Sequence, residues 1–219
     1  MKFTGLTLQT ADPERLATFY AGILEVPVHQ ITGGFCIQLG TTQILLQKAA
    51  AGAAPYYHLA FSIPANQIEA ARTWLKPKVE LLWMNDYKSD IADFVNWNAK
   101  SVYFFDPAGN ILELIARFDL NNARQDVFGG QSLLSVNEVG LVFPAGNFDA
   151  SVSALRQQFD LPYFIKQPPL PQFRAIGDEE GLFIAVPGGR NWYPTTTLSI
   201  VAPVAVNFVH MGKEYTFSI

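Results

Sequence analysis

The chain has 219 residues, a formal net charge of −4, and 49% hydrophobic against 16% charged residues. This composition excludes a disordered chain and is typical of a globular protein with a large buried core. Because the balance is acidic and no run of Lys or Arg occurs, the sequence indicates no nucleic-acid partner, and no apolar run reaches the roughly 20 residues that cross a membrane.

Three segments of the chain repeat one plan. They read, in chain order, FTGLTLQTADPERLATFYAGIL, HLAFSIPANQIEAARTWL and EVGLVFPAGNFDASVSALRQQF. Each begins with a short strand, passes a helix-capping residue and continues as an amphipathic helix. Short apolar runs bounded by turns follow each helix and predict about three more strands per segment. The sequence therefore predicts an α+β fold of repeated βαβββ modules, with helices covering one side of mixed sheets.

The alternation of side chains along each first strand predicts which residues line the other side of the sheets. Large apolar residues at alternate positions are expected to face the helices: Leu6 and Leu8, Leu59 and Phe61, Val139 and Leu141. The opposite faces carry small and polar residues, which indicates a concave, partly solvated surface. His58 lies on that surface. In the stretch YFFDPAGNILELI, the same alternation places Glu113 there, between two isoleucines.

The chain resembles the vicinal oxygen chelate superfamily, which includes glyoxalase I, bleomycin resistance proteins and extradiol dioxygenases. The strand–helix opening, the HLAFSIP strand and above all YFFDPAGNILELI carry the resemblance. It implies that residues 1–119 form a cleft-bearing, glyoxalase-like domain of two βαβββ modules. Residues 132–219 are expected to add a third module with C-terminal strands.

The resemblance also implies a divalent metal in the cleft between paired modules, held by residues of their first and last strands. The second module offers His58 and Glu113, whereas the first offers Gly5 and Leu45, or Gln47 if the register slips. Metal sites of this kind generally need three protein ligands, so the ligand set is incomplete and a divalent metal cofactor stays an open question. Glu138 matches a ligand position of the third module, but that module has no evident partner within the chain.

Two functions are therefore open, and the missing ligands at Gly5 and Leu45 favour the first of them. One is a small-molecule binding protein of the bleomycin resistance type, with a degenerate metal site and a ligand held in the concave cleft. The other is a metal-dependent enzyme, a glyoxalase-like lyase or an extradiol dioxygenase, that uses His58 and Glu113 with an unplaced third ligand. In the first case His58 and Glu113 pair with each other, because an unpaired buried carboxylate is costly to ionise.

Residues 76–100 form a long connection that contains aromatic residues in polar surroundings. Trp83, Tyr87 and Trp97 are candidate binding residues if this segment covers the cleft as a lid; otherwise they anchor the loop on the surface of the domain. Because the third module lacks an evident partner, it is expected to pair with the last strands or with its counterpart in a second chain, and the second alternative predicts a homodimer. A single cysteine, Cys36, and a charged N-terminal stretch fit a cytoplasmic protein.

Overall fold

A computed structural model describes residues 1–219 and contains two β-sheets and three α-helices. The helices are α1 (Pro13–Gly22), α2 (Ile68–Leu75) and α3 (Phe148–Phe159). The strands are β1 (Lys2–Thr10), β2 (Val28–Ile31), β3 (Gly34–Leu39), β4 (Thr42–Lys48), β5 (His58–Ile63), β6 (Ala92–Phe94), β7 (Ala99–Phe105), β8 (Ile111–Arg117), β9 (Ser135–Phe143), β10 (Arg174–Asp178), β11 (Gly181–Pro187), β12 (Val204–His210) and β13 (Lys213–Ser218). The predicted α+β class is confirmed. None of the helices is both long and apolar enough to cross a membrane.

The strand–helix openings form where the repeated pattern predicts them. In α1, the Asp12 side chain accepts a hydrogen bond from the backbone N–H of Arg15 at 3.0 Å, and Pro13 occupies the first turn. Both features stabilise a helix start, because the first backbone N–H groups lack partners within the helix. The apolar stripe of the helix, including Leu16 and Tyr20, is buried.

The predicted pairing of the modules is wrong. One sheet has the strand order β13-β12-β1-β4-β3-β2, and the other has the order β10-β11-β9-β5-β8-β7-β6. The first strand of the second module, β5, lies beside β9 of the third module, while β1 lies beside β12. The cleft-bearing sheet therefore combines the second and third modules, and the expected boundary between residues 1–119 and 132–219 separates two strands of one sheet.

The third module thus has a partner within the chain, and the last two strands, β12 and β13, pair with the first module instead. The homodimer was expected because the third module had none, so that reason falls away and the homodimer stays an untested prediction. The physical cause of the error is that strand periodicity specifies the two faces of a strand but not its neighbour.

The main core lies between the two sheets. All six apolar residues that the alternation assigns to the helix side are buried in one cluster that draws on both sheets: Leu6, Leu8, Leu59, Phe61, Val139 and Leu141. Phe3 and Phe183, one from each sheet, meet edge to face with ring centroids 5.1 Å apart. Residues of all three helices belong to the same cluster, so these apolar strand faces meet helices as well as the other sheet. The concave face of the β5–β9 sheet, which carries His58, is the opposite face of that sheet.

Candidate functional site

Three neighbouring strands bring three ionisable side chains together at the centre of the larger sheet. β5 carries His58, β8 carries Glu113 and β9 carries Glu138. Ala60, two residues after His58, is paired with Glu113 on one side and with Glu138 on the other. Since residues two apart share a face and paired residues lie side by side, the register places all three side chains on the concave face.

The three side chains are almost fully buried and their polar atoms converge. The Nε2 atom of His58 lies 3.6 Å from Oε2 of Glu113 and 3.7 Å from Oε2 of Glu138. One donor atom from each residue lies within 4.8 Å of the others. Both His58 distances exceed a normal hydrogen bond, so the atoms surround a common point rather than forming a tight pair.

Each of these side chains is held by a contact that leaves its convergent atom free. Nδ1 of His58 lies 3.2 Å from the carbonyl oxygen of Ile111, so the Nδ1–H tautomer donates there and leaves the Nε2 lone pair available. Oε1 of Glu113 accepts a hydrogen bond from Ser101 at 2.5 Å. Oε1 of Glu138 accepts one from Arg117, also at 2.5 Å. Metal-binding residues are oriented by contacts of this kind.

Arg117 links the site to the rest of the sheet. Its side chain is fully buried, and besides Glu138 it donates to Asn137 at 2.7 Å and to Glu179 at 3.2 Å. The guanidinium lies 5.4 Å from the centre of the Trp97 ring. A buried, planar guanidinium with three fixed partners holds Glu138 in one orientation.

The electrostatics of the site favour an added positive charge. Burial, reinforced by the negative charge of Glu138, raises the pKa of Glu113 to about 7. Burial alone would lower the pKa of His58, but the attraction of Glu138 and Glu113 outweighs it and the pKa is raised. Both pKa values are raised because protons are held more tightly where two carboxylates are buried side by side. A divalent cation would relieve the same repulsion.

A tryptophan covers His58 because a glycine leaves room for it. The rings of Trp192 and His58 have centroids 5.2 Å apart, at 39°. A Cβ atom on Gly140 of β9 would lie 2.8 Å from Trp192 and 3.1 Å from the Cβ of His58. Any larger residue at this position would have to displace the Trp192 ring.

The site is the floor of a cavity of about 270 Å³. Most of its walls are apolar or aromatic, and the lining residues are His58, Phe94, Trp97, Tyr103, Glu113, Glu138, Gln167, Leu170, Phe173, Ile184, Arg190, Trp192 and Tyr193. An apolar cavity with a few convergent polar groups is typical of a small-molecule site.

Of the five residues expected from the sequence, the structure brings His58, Glu113 and Trp97 together at this cavity. Trp83 and Tyr87 do not line it. Trp83 is 60% exposed and borders an adjoining groove that shares Arg190 and Tyr193 with the cavity, while the Tyr87 ring packs edge to face on Phe94. The long connection of residues 76–100 therefore contributes Phe94 and Trp97 to the cavity, but not Trp83 or Tyr87.

Glu138 is the third member of the cluster, although its module has no evident partner in the sequence. The positions expected to complete the set lie elsewhere: Gly5 and Leu45 are in the other sheet, where a Cβ on Gly5 would meet Asn207 at 3.0 Å. In the third module, Leu182 pairs with Glu138, so Ile184 occupies the position that corresponds to Glu113. In β11, the position that could have supplied a fourth ligand therefore carries an apolar side chain.

No protein-family profile and no curated protein matches the sequence. Among solved structures, a candidate dioxygenase from Bacillus subtilis is 16% identical, with a TM-score of 0.58 over 85% of this chain. This chain spans 63% of that protein. A point mutant of glyoxalase I from Zea mays is 13% identical, with a TM-score of 0.56 over 90% of this chain and 70% of its own. At such identities the likeness concerns the fold alone: the chain shares the fold of these two structures, which agrees with the βαβββ-type modules that the sequence predicts.

Proposed function

We propose that this protein is a metal-dependent enzyme that acts on a small molecule in the cavity, with His58, Glu113 and Glu138 as the metal ligands. The observation that carries the proposal is the convergence of three lone-pair atoms whose opposite ends are each held by another group of the chain. The preference for a metal-free protein rested on the missing ligands at Gly5 and Leu45. Those residues belong to the other sheet, so that reason no longer applies.

The donor set fits a divalent transition metal. One imidazole nitrogen and two carboxylate oxygens suit Fe²⁺, Mn²⁺ or Zn²⁺, and three protein ligands leave positions open for oxygen atoms of a substrate. Ile184 occupies the position of a fourth ligand, and its apolar side chain cannot fill a coordination position of the metal. A metal bound there would supply a Lewis acid that polarises substrate oxygens.

The chain's own residues prepare the site for such chemistry. Ser101 and Arg117 fix the two carboxylates, and the Ile111 carbonyl fixes the tautomer of His58. Trp192, which is 3% exposed, keeps water from one side of the imidazole. In a cavity with mostly apolar walls, charged groups act on a substrate more strongly than they do in bulk solvent.

A second candidate function is a small-molecule binding protein that holds no metal. It is favoured by the buried ion pair between Arg117 and Glu138, which already supplies a cation to one of the two carboxylates. In that case His58 and Glu113 remain partners of each other, and the cavity only sequesters its ligand.

Metal content distinguishes the two functions. Protein purified without chelators is expected to contain close to one equivalent of a divalent transition metal, and Glu138→Gln is expected to lose it. Titration calorimetry of chelator-treated protein with Mn²⁺ should show one site, weakened at least about 100-fold in the variant. Glu180→Gln, which alters a partly exposed glutamate that pairs with Lys2, is the matched control. Metal-free protein with no Mn²⁺ site would favour the binding protein.

A further inference from the structure

One cation in the cavity has no acidic partner. Arg190 lines the cavity, and its side-chain hydrogen bond goes from Nη1 to the carbonyl oxygen of Asn191 at 3.1 Å. Loss of solvent lowers the pKa of Arg190, and no carboxylate offsets that effect. Its guanidinium carbon lies 5.4 Å from the ring centre of Phe173, another wall residue. A half-buried guanidinium without a counter-ion is a ready partner for an anion.

The segment that carries Arg190 is held in place by its own hydrogen bonds. The backbone N–H of Arg190 donates to the Ser199 hydroxyl at 3.1 Å, and that hydroxyl donates to the carbonyl oxygen of Pro187 at 2.7 Å. The backbone N–H of Trp192 donates to Thr197 at 2.9 Å. The position of the guanidinium is therefore largely set before a ligand binds, which lowers the entropy lost on binding.

A second polar group in the same wall lacks a partner. The hydroxyl oxygen of Tyr193 is buried and makes no hydrogen bond within the chain. Tyr193 lines the cavity, and its ring packs edge to face against Tyr103 and Phe94. Since buried hydroxyl groups normally have a hydrogen-bond partner, this one is available to a ligand.

The shape and charge of the cavity limit what fits. At about 270 Å³ it lies just below the usual range of about 300–1,000 Å³ for ligand pockets, so it suits a single ring rather than a nucleotide. The rings of Trp97, Phe173 and Trp192 offer flat apolar walls. Glu113 and Glu138 also line it, but Arg117 pairs with Glu138, and His58 lies within 3.7 Å of both carboxylates. Arg190 would then be the cation left for one negative group on the ligand.

We infer that the cavity binds a small aromatic carboxylate, with the carboxylate on Arg190, an oxygen atom on the Tyr193 hydroxyl and the ring between the aromatic walls. The inference rests on the proposed function only in taking the cavity as the substrate site. A phosphate ester would bring a second negative charge beside Glu113 and Glu138, so the carboxylate is the better match to a single guanidinium.

Benzoate, benzamide and phenyl phosphate test this inference, because they share a ring and differ in charge. Titration is followed by the fluorescence of the tryptophans in the cavity wall, in Mn²⁺-treated and in chelator-treated protein. Benzoate is expected to bind saturably at millimolar concentration, and at least about tenfold more tightly than benzamide. Arg190→Gln is expected to remove this preference while leaving benzamide binding unchanged. Tyr193→Phe should weaken benzoate several-fold.

Arg156→Gln is the matched control, because that arginine also lies over an aromatic ring, Tyr163, but outside the cavity. It should bind benzoate as the unmodified protein does. Equal binding of benzoate and benzamide, absence of benzoate binding, a preference for phenyl phosphate, or an Arg190→Gln variant that keeps the preference would each overturn the inference. If Arg190-dependent benzoate binding is found in a protein that holds no metal, the inference stands and the proposed enzyme function fails. If metal binds but benzoate does not, the reverse holds.

Discussion

Replacing Arg117 with methionine is expected to destabilise the metal-free protein by about 3–5 kcal/mol, the range for removing one partner of a buried ion pair. The Arg117 side chain is fully buried and contacts Glu138, which is 5% exposed, and Glu179, which is 21% exposed. Glu179 keeps a second partner, Lys166, and some solvent. Most of the loss should therefore come from Glu138, which is left beside Glu113 with only His58 to balance two carboxylates.

Urea unfolding of the chelator-treated variant measures this loss as a change in the free energy of unfolding. Arg174→Met is the matched control, because it also breaks an arginine–carboxylate pair, but one whose carboxylate, on Asp149, has a side chain that is 81% exposed and keeps its solvent. It should cost no more than about 1 kcal/mol. The double variant Arg117→Met with Glu138→Gln should cost less than the sum of the single changes, since the two sites are coupled. Equal costs for Arg117→Met and Arg174→Met, or strict additivity, would refute the reasoning.

Two further predictions concern the surroundings of the site. Gly140→Ala is expected to displace the Trp192 ring from His58, because the added Cβ would lie 2.8 Å from that ring. The tryptophan emission spectrum should change and Mn²⁺ should bind more weakly. An unchanged emission spectrum would contradict this prediction. Burial raises the pKa of Asp106 from 3.8 to about 6, against its hydrogen bonds from Asn110. Because the folded state holds this proton more tightly than the unfolded state, this group's contribution to stability falls by about 3 kcal/mol as the pH rises from about 4 to 6. Asp106→Asn should lack that fall in urea unfolding measured across the same pH range, and an identical pH profile would show the assignment to be wrong.

The faces of the strands could be predicted from the sequence because a strand's alternation is local. Leu59 and Phe61 point into the core and His58 points away from it, as their spacing requires. The turn between β7 and β8 is equally local: Asp106 accepts hydrogen bonds from the backbone N–H groups of Ala108 and Asn110 at 2.9 and 3.0 Å. Because a turn of this kind depends only on neighbouring residues, the sequence correctly predicts the strand that carries Glu113.

The partner of β5 could not be predicted in the same way. Gly5 and Glu138 occupy equivalent positions in strands of the same pattern, and either strand could have paired with β5. Sequence order favoured the first module, and that choice removed Glu138 from the site. Arg190 and Trp192 were missed for a different reason. They lie in an irregular segment that has no period, and its position over His58 follows from tertiary contacts such as the space left by Gly140.

The central claim is that His58, Glu113 and Glu138 hold a divalent metal ion, and thermal unfolding of chelator-treated protein with added Mn²⁺ tests it most directly. A ligand that binds only the folded state stabilises it by about 2.7 kcal/mol at 100 times its dissociation constant. The melting temperature should therefore rise with Mn²⁺ concentration in the unmodified protein and stay nearly constant in Glu138→Gln. A melting temperature that does not respond to Mn²⁺, or one that rises equally in both proteins, would contradict the claim.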